Sequence, residues 1–262
     1  MDYLNYANKV QQKPQGFGQE KVQLTEDDFR FGDLNQQTPQ PQVASQTKDE
    51  LIQLFPTPLL ICPCPFDYGV ELEWIKKQPC GRKNGAKKFD NQKETVKHHN
   101  RQSDDTFILD KPELSRVRQF IESKLKEYAF NVMGSDSEMV ITQSWLNKSS
   151  NGEYHHEHKH PNSMISGVWY PQIHEQLPPI EFKTDIQRDV ALSLKKYNHY
   201  NSASFILPLR KGELILFPSH LRHSVPINQS DEERISLSFN TWCKGNLGNI
   251  DQLTYLPFDR CV

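Results

Sequence analysis

From residue 138 onward, apolar and polar positions alternate with a period of two. Met139, Ile141, Gln143, Trp145 and Asn147 fall on one face of an extended segment, because successive side chains of a strand point to opposite sides. Residues 164–170, 180–184, 204–208, 213–217 and 234–240 are further short runs rich in β-branched, aromatic and aliphatic residues, with Gly or Pro at most junctions. Many short strands separated by turn signals predict a sandwich or barrel. Upstream the period changes. Leu114, Val117, Ile121, Leu125, Tyr128 and Val132 recur at helical spacing, and Gly134 ends the run. Asp110 and Glu113, three residues apart, predict a capping box at the start of this helix. Residues 66–78 read as a shorter helix. Residues 51–61, interrupted by Pro56 and Pro58, read as an edge strand. The pattern therefore predicts a jelly roll preceded by a helical flank.

Residues 1–48 do not share this patterning. They are poor in aliphatics and rich in Gln, Pro and Asn, most clearly in Asn35-Gln-Gln-Thr-Pro-Gln-Pro-Gln42. Such a segment buries too little apolar area to offset its chain entropy. It is expected to be an extended or disordered arm, ordered only where a partner or the folded body holds it, with Tyr3, Tyr6, Phe17, Phe29 and Phe31 as candidate anchors; a loosely held tail is the plainer reading. Residues 49–262 form the expected folded domain. Residues 80–103 are polar and basic, with the Gly and Asn content of a loop; a solvated loop without a function is the preferred reading, and beside a site they would steer acidic substrates.

Composition narrows the class. The chain of 262 residues carries a formal charge of −2 and has a mean hydropathy of −0.74. No clear nucleic-acid signal is present, since a binding domain of that kind is usually basic. No apolar run reaches the roughly 18 residues of a membrane helix, and no signal peptide stands at the start. Five cysteines without framework spacing fit a reducing, cytoplasmic setting. Cys62 and Cys64 read as strand-end packing.

The candidate chemistry lies in Glu153-Tyr-His-His-Glu-His-Lys-His-Pro-Asn-Ser163. Four of the ten histidines fall there, at His155, His156, His158 and His160. Imidazole is the commonest metal ligand near neutral pH. The last three alternate and would share one side of a strand, where two of them can reach one ion. His223, just after an apolar strand, is the best third ligand. Arg234 opens the next strand eleven residues later, with Ser236 on the same face. A guanidinium with a hydroxyl beside it suits a carboxylate, whereas a surface ion pair with Glu232 or Glu233 is the plainer use of that arginine.

These residues resemble a known family. His158-Lys-His-Pro-Asn-Ser-x-Ile-Ser-Gly-Val-x-Tyr170, Leu216-Phe-Pro-Ser219, His223-Ser-Val225 and Arg234-Ile-Ser-Leu-Ser-Phe-Asn240 are similar to the Fe(II)/2-oxoglutarate-dependent oxygenases, in particular to a subgroup of marine bacteria and tailed phages. The likeness covers roughly residues 51–250 and leaves the arm outside. It implies a double-stranded β-helix (jelly roll, cupin-like) with Fe(II) at its mouth. It also implies 2-oxoglutarate as cosubstrate, O2 as oxidant, and release of succinate and CO2 as an unknown substrate is hydroxylated. By the family's pattern His158 is the first ligand and His223 the distal one. Arg234, supported by Ser236, takes the far carboxylate of 2-oxoglutarate.

The chain departs from that pattern at one position. The wider superfamily has His-x-Asp or His-x-Glu, and here His158-Lys159-His160 stands in its place. His160 is the preferred second ligand and His156 the alternative; His155-x-Glu157 also fits the letter of the motif. Two other functions remain open. One is a three-histidine cupin-type metalloenzyme without 2-oxoglutarate, which has no need of Arg234. The other is a structural or attachment protein of a phage particle, in which the arm contacts a second copy or a particle partner and the chain resides in host cytoplasm or virion.

Overall fold

The computed structural model describes residues 55–83, 99–185 and 192–258. The arm, the basic stretch 84–98 and residues 186–191 lie outside the described residues, so the expectations for the arm and for most of the basic loop are not addressed by it.

The polypeptide enters through β1 (Leu60–Pro63), helix α1 (Gly69–Lys77), and the short strands β2 (Arg82–Lys83) and β3 (Arg101–Gln102). Helix α2 (Ser115–Met133) follows, then the long strand β4 (Met139–Ser149). The remaining strands are β5 (His155–His158), β6 (Ile165–Gln172), β7 (Ile180–Lys183), β8 (Ser204–Leu207), β9 (Glu213–Pro218), β10 (Arg222–Val225) and β11 (Arg234–Cys243). They form a seven-stranded sheet, ordered β1-β9-β6-β11-β4-β3-β2, and a four-stranded sheet, ordered β5-β10-β7-β8. Every pairing between these strands is antiparallel. This is a mainly β, double-stranded β-helix with a helical flank. No helix among the described residues is long and apolar enough to cross a membrane.

The large sheet is covered on both faces, which explains why its central strands are apolar without a break. In β9, Leu214 and Leu216 pack with the helices while Ile215 and Phe217 pack toward the small sheet. In β6, Trp169 faces the helices, and Val168 and Tyr170 face the small sheet. A strand buried on both faces reads as a continuous hydrophobic run. Gly167 is needed for a close approach. A Cβ there would lie 2.1 Å from Cζ of Phe239, its cross-strand neighbour, so the ring of Phe239 occupies the space that a side chain would fill.

Helix α2 buries Val117, Ile121, Leu125 and Tyr128 against the sheet, as the spacing predicts, and Phe120 with them; Val132, expected on the same face, is exposed at the end of the helix. It stops at Gly134, which adopts a left-handed φ of 66°, a conformation that costs glycine little. Its start differs from expectation. The tight turn Pro112–Leu114 intervenes, and the helix begins after Leu114 without a side-chain cap. Asp110 instead ends an earlier turn and pairs with Arg118. The capping-box reading fails because Pro112 pulls Asp110 out of register with the first turn. The edge strand also lies later than expected, at Leu60–Pro63, and its one partner is β9. Lys148, buried on β4, donates to the carbonyls of Lys76 (2.8 Å) and Gln78 (3.0 Å) at the end of α1. A cation satisfies a helix C-terminus in this way and locks the flank onto the sheet.

Candidate metal centre

The site lies between the sheets, where β5 and β10 of the small sheet face β4 and β11 of the large one. Its wall on the large sheet follows from the alternation of β11. Arg234, Ser236 and Ser238 line the cavity, while Ile235 and Leu237 belong to the core on the helix side. Across the ladder, Ser236 pairs with Asn147 and Ser238 with Trp145, and both partners also line the cavity.

The opposite wall is built by the histidines. His158 pairs with His223, and His155 pairs with Val225, with a shift of register between the two pairs. Three steps on β5 thus oppose two on β10. The extra residue, a bulge, breaks the expected alternation. His155 and His158 both line the cavity, together with His160 and His223, and His156 does not. The expectation that His156, His158 and His160 share one side is corrected accordingly. The ring of His156 stacks on His99 at 5.3 Å, and its Nδ1 is buried without a hydrogen-bond partner. Glu157 faces outward and accepts a 2.8 Å hydrogen bond from Arg222, so the His155-x-Glu157 alternative does not bring its carboxylate to the other imidazoles.

His158, His160 and His223 each offer a ring nitrogen, and these three atoms lie within 4.8 Å of one another. Nε2 of His160 and Nε2 of His223 are 3.3 Å apart. Two nitrogens bound to one ion at about 2.0–2.1 Å are roughly 3 Å apart at a right angle. The tautomers follow from the backbone. Nδ1 of His158 donates to the carbonyl of His156 at 2.8 Å, and Nδ1 of His223 donates to that of Leu221 at 2.9 Å. A carbonyl can only accept, so each Nε2 keeps its lone pair, as a metal ligand must. The backbone N–H of His160 donates to the carbonyl of Ser219 at 3.0 Å, which ties the turn carrying His160 to the loop before His223. Burial also keeps the rings neutral. It pushes His160 and His223 down to about 3 and lowers His158 as well, the neighbouring imidazoles adding to the effect on His160 and His223. His155 is held well below its ordinary range, first by burial and then by the other histidines and Arg234.

Arg234 is buried, 4% exposed, and no carboxylate pairs with it among the described residues; the surface ion pair is not formed. Its Nε donates to the carbonyl of Pro178 at 2.9 Å and one Nη to Ser236 Oγ at 3.2 Å. Its guanidinium carbon lies 5.2 Å over the ring of Tyr170. Burial lowers its pKa, yet a guanidinium stays charged in proteins. The Tyr170 hydroxyl is fully buried beside Arg234 without a hydrogen bond of good geometry, and burial, partly offset by the arginine's charge, pushes its pKa up to about 12. An unpaired positive charge beside an unpaired hydroxyl fits a missing carboxylate. Asn147 is anchored from behind: its amide donates to Ser238 (2.9 Å) and its oxygen accepts from Asn100 (3.0 Å). The sequence offers His155 only in the His155-x-Glu157 alternative and Tyr170 only as the end of the family motif, with no role in the site for either. Tyr170 sits in a run that reads as plain core, and His155 turns inward only because of the bulge.

A barrel mouth with a three-nitrogen cluster and a buried arginine has the donor set to hold a metal ion and an anionic ligand. Residues 143–240 match the family described as "Putative 2OG-Fe(II) oxygenase". The matched span carries His158, His160, His223 and Arg234 together, and it is that of an enzyme whose cofactors are Fe(II) and 2-oxoglutarate. No curated protein sequence matches the chain. Among solved structures, an oxidoreductase of the 2OG-Fe(II) oxygenase family from Burkholderia pseudomallei is 12% identical, covers 70% of this chain and 83% of its own, with a TM-score of 0.46. HygX from Streptomyces hygroscopicus, solved with nickel, 2-oxoglutarate and hygromycin B, is 9% identical over 71% of this chain and 82% of its own, with a TM-score of 0.48. The epimerase SnoN of nogalamycin biosynthesis is 13% identical over 71% and 78%, also at 0.48. Likeness of this degree assigns no activity or substrate to this chain.

Proposed function

We propose that this chain is an Fe(II)/2-oxoglutarate-dependent oxygenase that hydroxylates its substrate while 2-oxoglutarate is converted to succinate and CO2. The observation that carries this is one cavity holding three neutral imidazoles and a buried, acid-free arginine. In this reading His158, His160 and His223 hold the iron, with three positions left for other ligands. Fe(II), when bound, supplies the coordination of cosubstrate and O2 on which the oxidation depends. The protein's own part is geometric and electrostatic. The carbonyls of His156 and Leu221 aim the Nε2 lone pairs. The carbonyl of Pro178 and the hydroxyl of Ser236 fix the plane of Arg234, so its fork meets the far carboxylate of 2-oxoglutarate with little ordering cost. The Tyr170 hydroxyl donates to the same carboxylate. Ile180, Phe217 and Val225 form apolar walls that exclude water from this end of the cavity. Three-histidine chemistry without 2-oxoglutarate gives Arg234 no role, and its burial in this cavity supports the cosubstrate-dependent reading instead.

The test is turnover without added substrate. Iron-loaded protein is incubated with isotopically labelled 2-oxoglutarate in air, and succinate is followed by NMR. The wild type is expected to form succinate slowly, and His223→Ala and Arg234→Ala to form none. An iron-loaded wild type that neither binds nor consumes 2-oxoglutarate would contradict the proposal.

A further inference from the structure

The site just proposed carries a surplus positive charge. No Asp or Glu lines the cavity among the described residues, and Arg234 is its one charged side chain. The acids nearest in sequence are engaged elsewhere, Glu157 with Arg222 and Glu153 with Arg101 and the Ser150 N–H. Imidazoles ligate as neutral groups. The charge of a divalent iron is cancelled by doubly negative 2-oxoglutarate, and the charge of Arg234 remains. With a carboxylate at position 160 the loaded site would be neutral. With His160 there, it is a monocation among largely buried side chains, where charge is less screened than in water.

A second observation shows where an anion would sit. Trp145 lines the cavity, its ring 5.9 Å from that of His160. Its indole N–H is buried and has no hydrogen-bond partner, a costly state for a donor. Trp145 pairs with Ser238, and Arg234 pairs with Ser149. Four residues of strand, about 13 Å, separate the two positions along the same wall. Trp145 therefore starts four strand positions away from the arginine, and its ring lies on the His160 side.

From the missing acid and the waiting donor, and resting on the proposed function, we propose that the substrate is an anion. Its singly charged group, a carboxylate or an equivalent, binds beside His160 and accepts a hydrogen bond from the Trp145 indole. The substitution of histidine for the usual acid thus acts as a selector of substrate charge.

The test uses azide as the probe anion and a spectroscopic readout. Protein loaded with Co(II) and saturating 2-oxoglutarate is titrated with azide and followed through the visible bands of cobalt. The wild type is expected to bind azide. His160→Asp supplies the missing negative charge and is expected to bind it about tenfold or more weakly. Trp145→Phe keeps the charge, removes the donor, and is expected to weaken azide severalfold. Equal azide affinity in the three loaded proteins would overturn the inference, and the Trp145→Phe comparison alone decides it if His160→Asp does not fold. Cobalt-loaded protein that fails to take up 2-oxoglutarate would overturn the proposed function itself, a failure seen before azide is added.

Discussion

At the residue scale, burial makes the histidines ligands and at the same time makes them a liability in acid. In the unfolded chain His160 and His223 titrate near 6.5, and in the folded chain near 3. Between those values the unfolded state binds more protons, so stability falls as pH falls. The metal-free protein is expected to keep its full stability above about pH 6.5 and to lose it progressively toward about pH 3. Melting curves across that range check this, and His160→Gln, which cannot titrate, should show a shallower loss. A wild type whose melting point is flat down to about pH 4, well over half-way down the window, would mean that these rings are protonated at little cost. Arg234 gives a second prediction. Arg234→Lys keeps the charge but not the planar fork, and 2-oxoglutarate affinity should drop by about 1.5–3 kcal/mol, the worth of a charged hydrogen bond. Calorimetric titration of the iron- or cobalt-loaded protein measures it, and unchanged affinity would remove the arginine from the cosubstrate site.

At the element scale, the packing of β6 on β11 depends on Gly167 lying under Phe239. Gly167→Ala places a Cβ 2.1 Å from the ring and should destabilise the fold by about 1–3 kcal/mol, the usual cost of overpacking. Gly167→Ala combined with Phe239→Leu should recover part of that loss in denaturant melts; a double variant less stable than the sum of the two single ones would contradict the contact. The alternation of β11 and the apolar run of β9 were legible from residue order, because sheet geometry turns period two directly into facing. So were the body of α2 and its glycine stop. The inward turn of His155 was not legible. It arises from the bulge between β5 and β10, which depends on a partner 65 or more residues away and leaves no local mark. The capping at Asp110 was misread for a related reason, since Pro112 alters the start of α2 without breaking the helical spacing beyond it.

At the scale of the whole molecule, the seven-stranded sheet is a central layer, with its helical flank on one face and the small sheet and site on the other. The folded part has a sufficient core of its own. Residues 1–48, low in aliphatics, are expected to add little to its stability, since burial there offsets little of an ordering cost of about 1–2 kcal/mol per residue. Deleting them should leave the melting temperature unchanged, and a large fall would make the arm part of the fold. The central claim is that His158, His160 and His223 hold iron while Arg234 holds 2-oxoglutarate against it. Anaerobic addition of 2-oxoglutarate to Fe(II)-loaded protein tests both halves at once, through the visible charge-transfer band of a keto acid chelated to ferrous iron. The band is expected to appear in the wild type, to require a much higher 2-oxoglutarate concentration in Arg234→Lys, and to be absent in His223→Ala. A wild type that takes up iron and shows no band at saturating 2-oxoglutarate would contradict it.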